Sequence, residues 1–173
     1  MANLPIGELP VLLFTFALIL AGAEDVFSRR IPNALTLGMV LGFLLLAPSS
    51  GLTGWELLQH MLASCVLLLL GYGLFSLGFM GGGDAKLMAA AGLWLGPLPS
   101  VVFTLFTTLC GGVLAAAIGC WFMARGEIGM RSRTADRMLS RVAPDVPYGF
   151  AFAAGAILAT PYSWMTVAAA GQT

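Results

Sequence analysis

The chain has 173 residues, 59% of them hydrophobic and only 9% charged, with a net charge of zero. Ordinary soluble domains carry roughly 25% charged residues, and the eight basic and eight acidic side chains here are too few to cover a soluble fold of this size. A soluble enzyme is thereby excluded, and the absent net charge leaves no electrostatic attraction for nucleic acid. An all-α polytopic membrane protein is expected, because lipid removes the need for a polar surface.

In chain order, the first apolar block is Leu9–Ala23. Ala21-Gly22-Ala23 resembles a signal-peptide cleavage site, but the first ten residues hold no Lys or Arg and one acid, Glu8. A signal peptide needs a basic start, so the block reads as a retained helix. Leu35–Ala47 follows, with Pro32 suited to a first helical position and Pro48-Ser49-Ser50-Gly51 ending it. Leu57–Phe79 is the third block. Leu87–Phe122 is too long for one span, and Gly96-Pro97-Leu98-Pro99-Ser100 divides it. The piece before that break is short and reads as tilted, re-entrant or shielded by neighbours. Val146–Ala170 is the last block.

Charge decides how many of these cross. With six crossings, the loops at Glu24–Ile31, Phe79–Lys86 and Arg125–Asp145 share one side and hold all eight basic residues. Basic loops stay in the cytoplasm. The expectation is therefore a single membrane-embedded domain over residues 1–173, about six spans, both termini outside, and a basic cytoplasmic loop at about 125–145. Arg133, Arg137 and Arg141 recur every fourth residue there and would share one face of a surface helix against anionic headgroups.

No C-x-x-C pair occurs, and Cys65, Cys110 and Cys120 sit in apolar runs, where a cysteine reads as a small buried hydrophobe. With one histidine, His60, read as a helix-end residue near the interface, no metal site and no cofactor are expected. Acids at membrane depth are costly and need a reason. Glu8 and Glu56 fall at span ends, and Glu127, Asp136 and Asp145 fall in the basic loop. Glu24 and Asp25 close the first span and Asp84 opens the fourth, all on the cytoplasmic side. Asp84 follows Gly81-Gly82-Gly83, which permits positive φ and close backbone approach and leaves amide N–H groups open to an extended peptide or a carboxylate. One reading makes Asp84 a plain helix N-cap and pairs Asp25 with Arg29 or Arg30. The other brings the two carboxylates within a few ångströms, sharing one proton, so that the ionised partner activates water and the protonated one donates to a scissile carbonyl.

Asp25-x5-Ile31-Pro32-Asn33 before an apolar helix, then Gly81-Gly82-Gly83-Asp84-x-Lys86 before another, and Val146-Pro147-Tyr148-Gly149 at the last, together resemble the type IV prepilin peptidases, which are G-x-G-D aspartic intramembrane proteases. The resemblance runs from about Asp25 to Gly155. It implies that Asp25 and Asp84 are the catalytic pair, that Gly81, Gly82, Gly83 and Lys86 support the substrate loop, and that Glu24 has no catalytic part. Lys86 is left with two roles, biasing Asp84 or anchoring its helix. Larger members add an N-terminal region with paired cysteines and N-methylate the product. This chain carries no such pair and is similar to the compact Tad/Flp peptidases, which implies cleavage without methylation. The implied substrate is a prepilin with a short basic leader, cut after glycine on the cytoplasmic side of the bacterial inner membrane. The competing expectations are a small proton- or ion-coupled transporter and a non-catalytic pilus-assembly subunit, in which Gly71, Gly73 and Gly78 serve helix packing. Oligomeric state is not legible.

Overall fold

The computed structural model describes residues 9–28, 31–48, 51–124 and 148–165. The expectations for Glu8, Arg29, Arg30, the basic loop with its three spaced arginines, Glu127, Asp136, Asp145 and Val146-Pro147 fall outside these residues.

Among the described residues the regular elements are helical: α1 (Leu9–Ser28), α2 (Asn33–Leu46), α3 (Gly54–Ser76), α4 (Gly82–Leu95), α5 (Pro97–Ala124) and α6 (Tyr148–Ala159), closed by a short 3-10 turn, Thr160–Tyr162. The boundaries differ from the sequence reading where local chemistry overrides hydropathy. α1 continues past Ala23, so Asp25 stands on helix rather than in a loop. Pro32 is the N-cap residue of α2 rather than its first helical residue. α3 starts three residues before Leu57 because Thr53 and Glu56 form a capping box: the Thr53 N–H donates to Glu56 at 2.8 Å and the Glu56 N–H to Thr53 Oγ1 at 3.3 Å. It stops at Ser76 because Gly78 takes φ +78°, with the Gly78 and Phe79 amides donating back to Phe75 and Leu74. The break between α4 and α5 is a single residue, Gly96 at φ +78°, with Pro97 opening α5. α6 ends at Ala159, where Pro161 lacks an N–H to continue the helix; Trp164 and Met165 are helical again, and the expected block's last residues, 166–170, lie outside the described ones.

The short helix is the shielded one. α4 has 14 residues, roughly 21 Å at about 1.5 Å per residue, against a hydrocarbon core of roughly 30 Å. It packs mainly on α3 and also on α2, α5 and α6, while α6 bridges α1 and α5. Every α4 residue from Leu87 to Leu95 is buried. Its far end is sealed by aromatic rings: Phe14 stacks on Trp94 at 5.7 Å, Phe43 on His60 at 5.4 Å, and Trp164 stands edge-on to Phe43 at 6.3 Å.

The outer faces are apolar. Leu12, Phe16 and Ile19 of α1, Leu37, Leu41 and Leu45 of α2, and Leu62, Val66 and Leu69 of α3 are all exposed. Gly54–Ser76 is long and apolar enough to cross a membrane by itself, whereas Asn33–Leu46 and Ala151–Tyr162 are apolar but shorter. Cys65 and Cys120 lie on the exposed faces with free thiols, not in the interior as expected. His60 is also corrected: it is buried, not a helix-end residue at an interface.

Candidate functional site

The end of α1, the start of α2 and the start of α4 meet at one end of the bundle, and the two sequence motifs meet with them. Asp84 is 8% exposed. It is not the N-cap, a place Gly81 takes, but the third helical residue, from which its Oδ2 accepts the Gly81 N–H at 3.2 Å. A carboxylate there also faces the positive end of the helix dipole. Asp25, half-buried on the last turns of α1, is near enough for its charge to act on Asp84. Glu24 on the same helix is exposed and accepts the Ser28 hydroxyl at 3.1 Å.

The glycines meet the expectation in part: one amide meets a carboxylate and one glycine admits a close approach, but none of the three takes positive φ. Positive φ occurs at Gly51, Gly78 and Gly96 among the described glycines, not at Gly81–Gly83. The turn into α4 is therefore made three residues before the triplet. The Gly81 amide is engaged by Asp84 rather than open to a peptide. What Gly83 supplies is room: a Cβ there would stand 3.2 Å from Ile31 Cβ and 3.5 Å from Ile31 N. A Cβ at Gly82 would meet the Phe75 ring at 3.5 Å. Ile31, buried at the chain's entry to α2, thus seats directly on the first turn of α4.

A second tie fixes the same junction. Lys86 Nζ donates to Asn33 Oδ1 at 3.0 Å. Of the two roles left to Lys86, this bond supports the anchor, and what it ties to is α2. Ile31-Pro32-Asn33 and Gly83-Asp84-x-Lys86 form one contact. The partnership of Asn33 with Lys86 and of Ile31 with Gly83 was not readable beforehand; the motifs stood out, but nothing in a sequence says that they touch.

His60 is the other residue the sequence misjudged. In a continuous helix the Leu93 carbonyl would accept from residue 97, but that residue is Pro97 and has no N–H. His60 Nδ1 sits 2.7 Å from that carbonyl, and since a carbonyl only accepts, Nδ1 carries the proton. Trp164 Nε1 donates to the Trp94 carbonyl at 2.7 Å. A helix that ends in apolar surroundings needs such partners.

Among the described residues no group of His, Cys, Asp and Glu is arranged to hold a metal ion. The site consists of two interacting carboxylates, a backbone amide on one of them, and a two-point clamp from α2. No curated protein and no solved structure matches the chain significantly. The profile of the type IV leader peptidase family matches residues 12–122, a stretch that holds α1 from its first turn through most of α5 and includes both aspartates and both halves of the clamp. By that match over well more than half its length, the chain belongs to the type IV leader peptidase family.

Proposed function

We propose that this leader peptidase is of the aspartic type, with Asp25 and Asp84 as its catalytic pair, and that it removes the short leader of a prepilin at the cytoplasmic face of the inner membrane without methylating the product. The observation that carries the assignment is the action of the Asp25 charge on a buried Asp84 at the end of the bundle where both family motifs lie. Two carboxylates in that relation resist joint ionisation and hold one proton between them. The ionised member takes a proton from water as it attacks the scissile carbonyl carbon. The protonated member donates to the carbonyl oxygen, giving a tetrahedral diol that collapses with a proton passed to the leaving amine. Burial strengthens both transfers by excluding bulk water. Gly81 would hold one Asp84 oxygen and leave the other for chemistry, while Gly83 and Lys86 keep α2 seated. Gly82 remains with the supporting loop.

Support for a bilayer setting comes from the apolar outer faces and the span-length α3.

Purified protein in lipid vesicles, given a prepilin, tests this. Asp25→Asn and Asp84→Asn are each expected to reduce cleavage below about one thousandth of wild type, by the scale on which paired acid–base groups contribute. Asp→Glu at either position should fail nearly as badly, since it moves the carboxylate by over about 1 Å. Retained cleavage in either Asn variant overturns the pair. A product mass showing an added methyl group overturns the second half of the proposal.

A further inference from the structure

α3 packs chiefly on α4, and α5 chiefly on α6, so the outward flanks of α3 and α5 line a groove. It has two lobes, of about 490 and 400 Å³, which share Leu70 and Thr104. On α3 it runs from Gln59 to Leu74, roughly 22 Å at about 1.5 Å per residue, room for about four turns of a helix. The second lobe reaches the site: Phe79 and Met80 line it, and so does Met88, which lies one turn along α4 from Asp84 on the same face. Met80 directly precedes Gly81, whose amide holds Asp84.

The wall on α5 is not the surface that lipid tails require. Ser100, Thr104, Thr108 and Gly112 recur every fourth residue and line the groove. Small residues at that spacing let a second helix approach closely. Thr104 and Thr108 turn their hydroxyls to carbonyls of their own helix, at 2.8 and 2.7 Å. Ser100 does not: it is 4% exposed, lines the first lobe, and its Oγ has no hydrogen-bond partner. A buried hydroxyl without a partner is rare in a finished interior. The opposing wall is aliphatic, with Leu62, Val66 and Leu70 exposed on α3.

We propose that the α3–α5 groove receives the hydrophobic helix that follows the scissile bond of the substrate, and so delivers that bond to Asp84. This rests on the peptidase reading above. A helix in the groove ends beside Met80 and Met88, so the extended residues before it lie across the start of α4. A membrane helix fitting a small-residue stripe then adds to what selects the substrate.

Photocrosslinking in vesicles tests it. A benzophenone amino acid is placed at Leu62 or Leu105 in the groove, and for comparison at Leu41 or Leu45 on the exposed face of α2. The background is Asp84→Asn, and the probe is an epitope-tagged prepilin with a basic leader ending in glycine and a hydrophobic helix of about 20 residues. Groove positions are expected to capture the probe's hydrophobic segment about tenfold more than α2 positions. Equal capture from both faces, or groove adducts only with lipid, with a second copy or within the chain itself, overturns the proposal. In the active enzyme, Thr104→Leu should raise KM for the prepilin about tenfold, while Thr104→Ser stays within about twofold of wild type. An unchanged KM in Thr104→Leu also overturns it. Failure of the catalytic reading looks different: the Asp84→Asn background would still cut the probe, whichever face captures it.

Discussion

The carboxylates are held by neighbours that do no chemistry. Lys86 and Asn33 are far apart in sequence yet hydrogen-bonded at 3.0 Å, and together with Ile31 on Gly83 they fix how α2 meets the first turn of α4. Lys86 is exposed, so the bond contributes little stability, about 1 kcal/mol or less. Its effect should be on rate. Lys86→Ala and Asn33→Ala are each expected to slow cleavage about tenfold or more by loosening the carboxylates, with the double variant no slower than the worse single one because one contact is being removed; additive losses would disprove the tie. Gly83→Val should be inactive and be partly restored by Ile31→Ala, which opens the space that the new side chain needs. His60 gives the opposite pattern. His60→Phe leaves the Leu93 carbonyl without a donor and should lower stability by about 1–3 kcal/mol, seen as a lower Tm in detergent with kcat kept. In the sequence, cost alone singles out Glu24 as much as the two aspartates, and the flanking glycines and Ile31-Pro32-Asn33 are what set Asp25 and Asp84 apart. The roles of Asn33, Ile31 and His60 were not legible there, because they depend on which helix lies beside them, and hydropathy is silent on that.

Among the elements, α4 decides the geometry. Its order in the chain and its Gly-Pro terminus were readable, because glycine and proline act locally. Its burial on most sides was only one of several options, since a short apolar run looks the same whether it faces lipid or protein. The ends of α3 and α6 were misplaced for a related reason: capping by Thr53 and Glu56, the positive φ of Gly78 and the stop at Pro161 outrank the apolar runs around them. At Gly71 a Cβ would stand 2.9 Å from the backbone of α4, at Ala85 Cα. Backbone does not give way as a flexible side chain does. Gly71→Val is expected to destabilise by about 1–3 kcal/mol and to shift Asp84, the neighbour of Ala85, so that Tm and cleavage fall together. Gly73 has open space around its Cα, and Gly73→Ala should leave both unchanged. Of the glycines singled out for packing, Gly71 packs, Gly78 turns the chain and Gly73 does neither.

For the whole molecule, orientation is the property to measure. The proposed arrangement puts Ser28 and Phe79 on the cytoplasmic side and Thr53 on the other. In a background with its own cysteines replaced, a cysteine at Ser28 or Phe79 should react with an impermeant reagent only in inside-out vesicles, and one at Thr53 only in right-side-out vesicles. The reverse pattern would invert the topology read from the basic loops. The rings at the far end of α4 bear on this arrangement. A bilayer protein with acids in its interior is a hazard to the proton gradient, because carboxylates joined by water would make a wire. Phe14, Phe43, Trp94 and Trp164 pack at the end opposite Asp84, and three polar atoms there, His60 Nδ1 and the two indole N–H groups, are each engaged with a backbone carbonyl. In the proposed arrangement that packing leaves the Asp84 end for water, so that peptide hydrolysis opens no path across the bilayer.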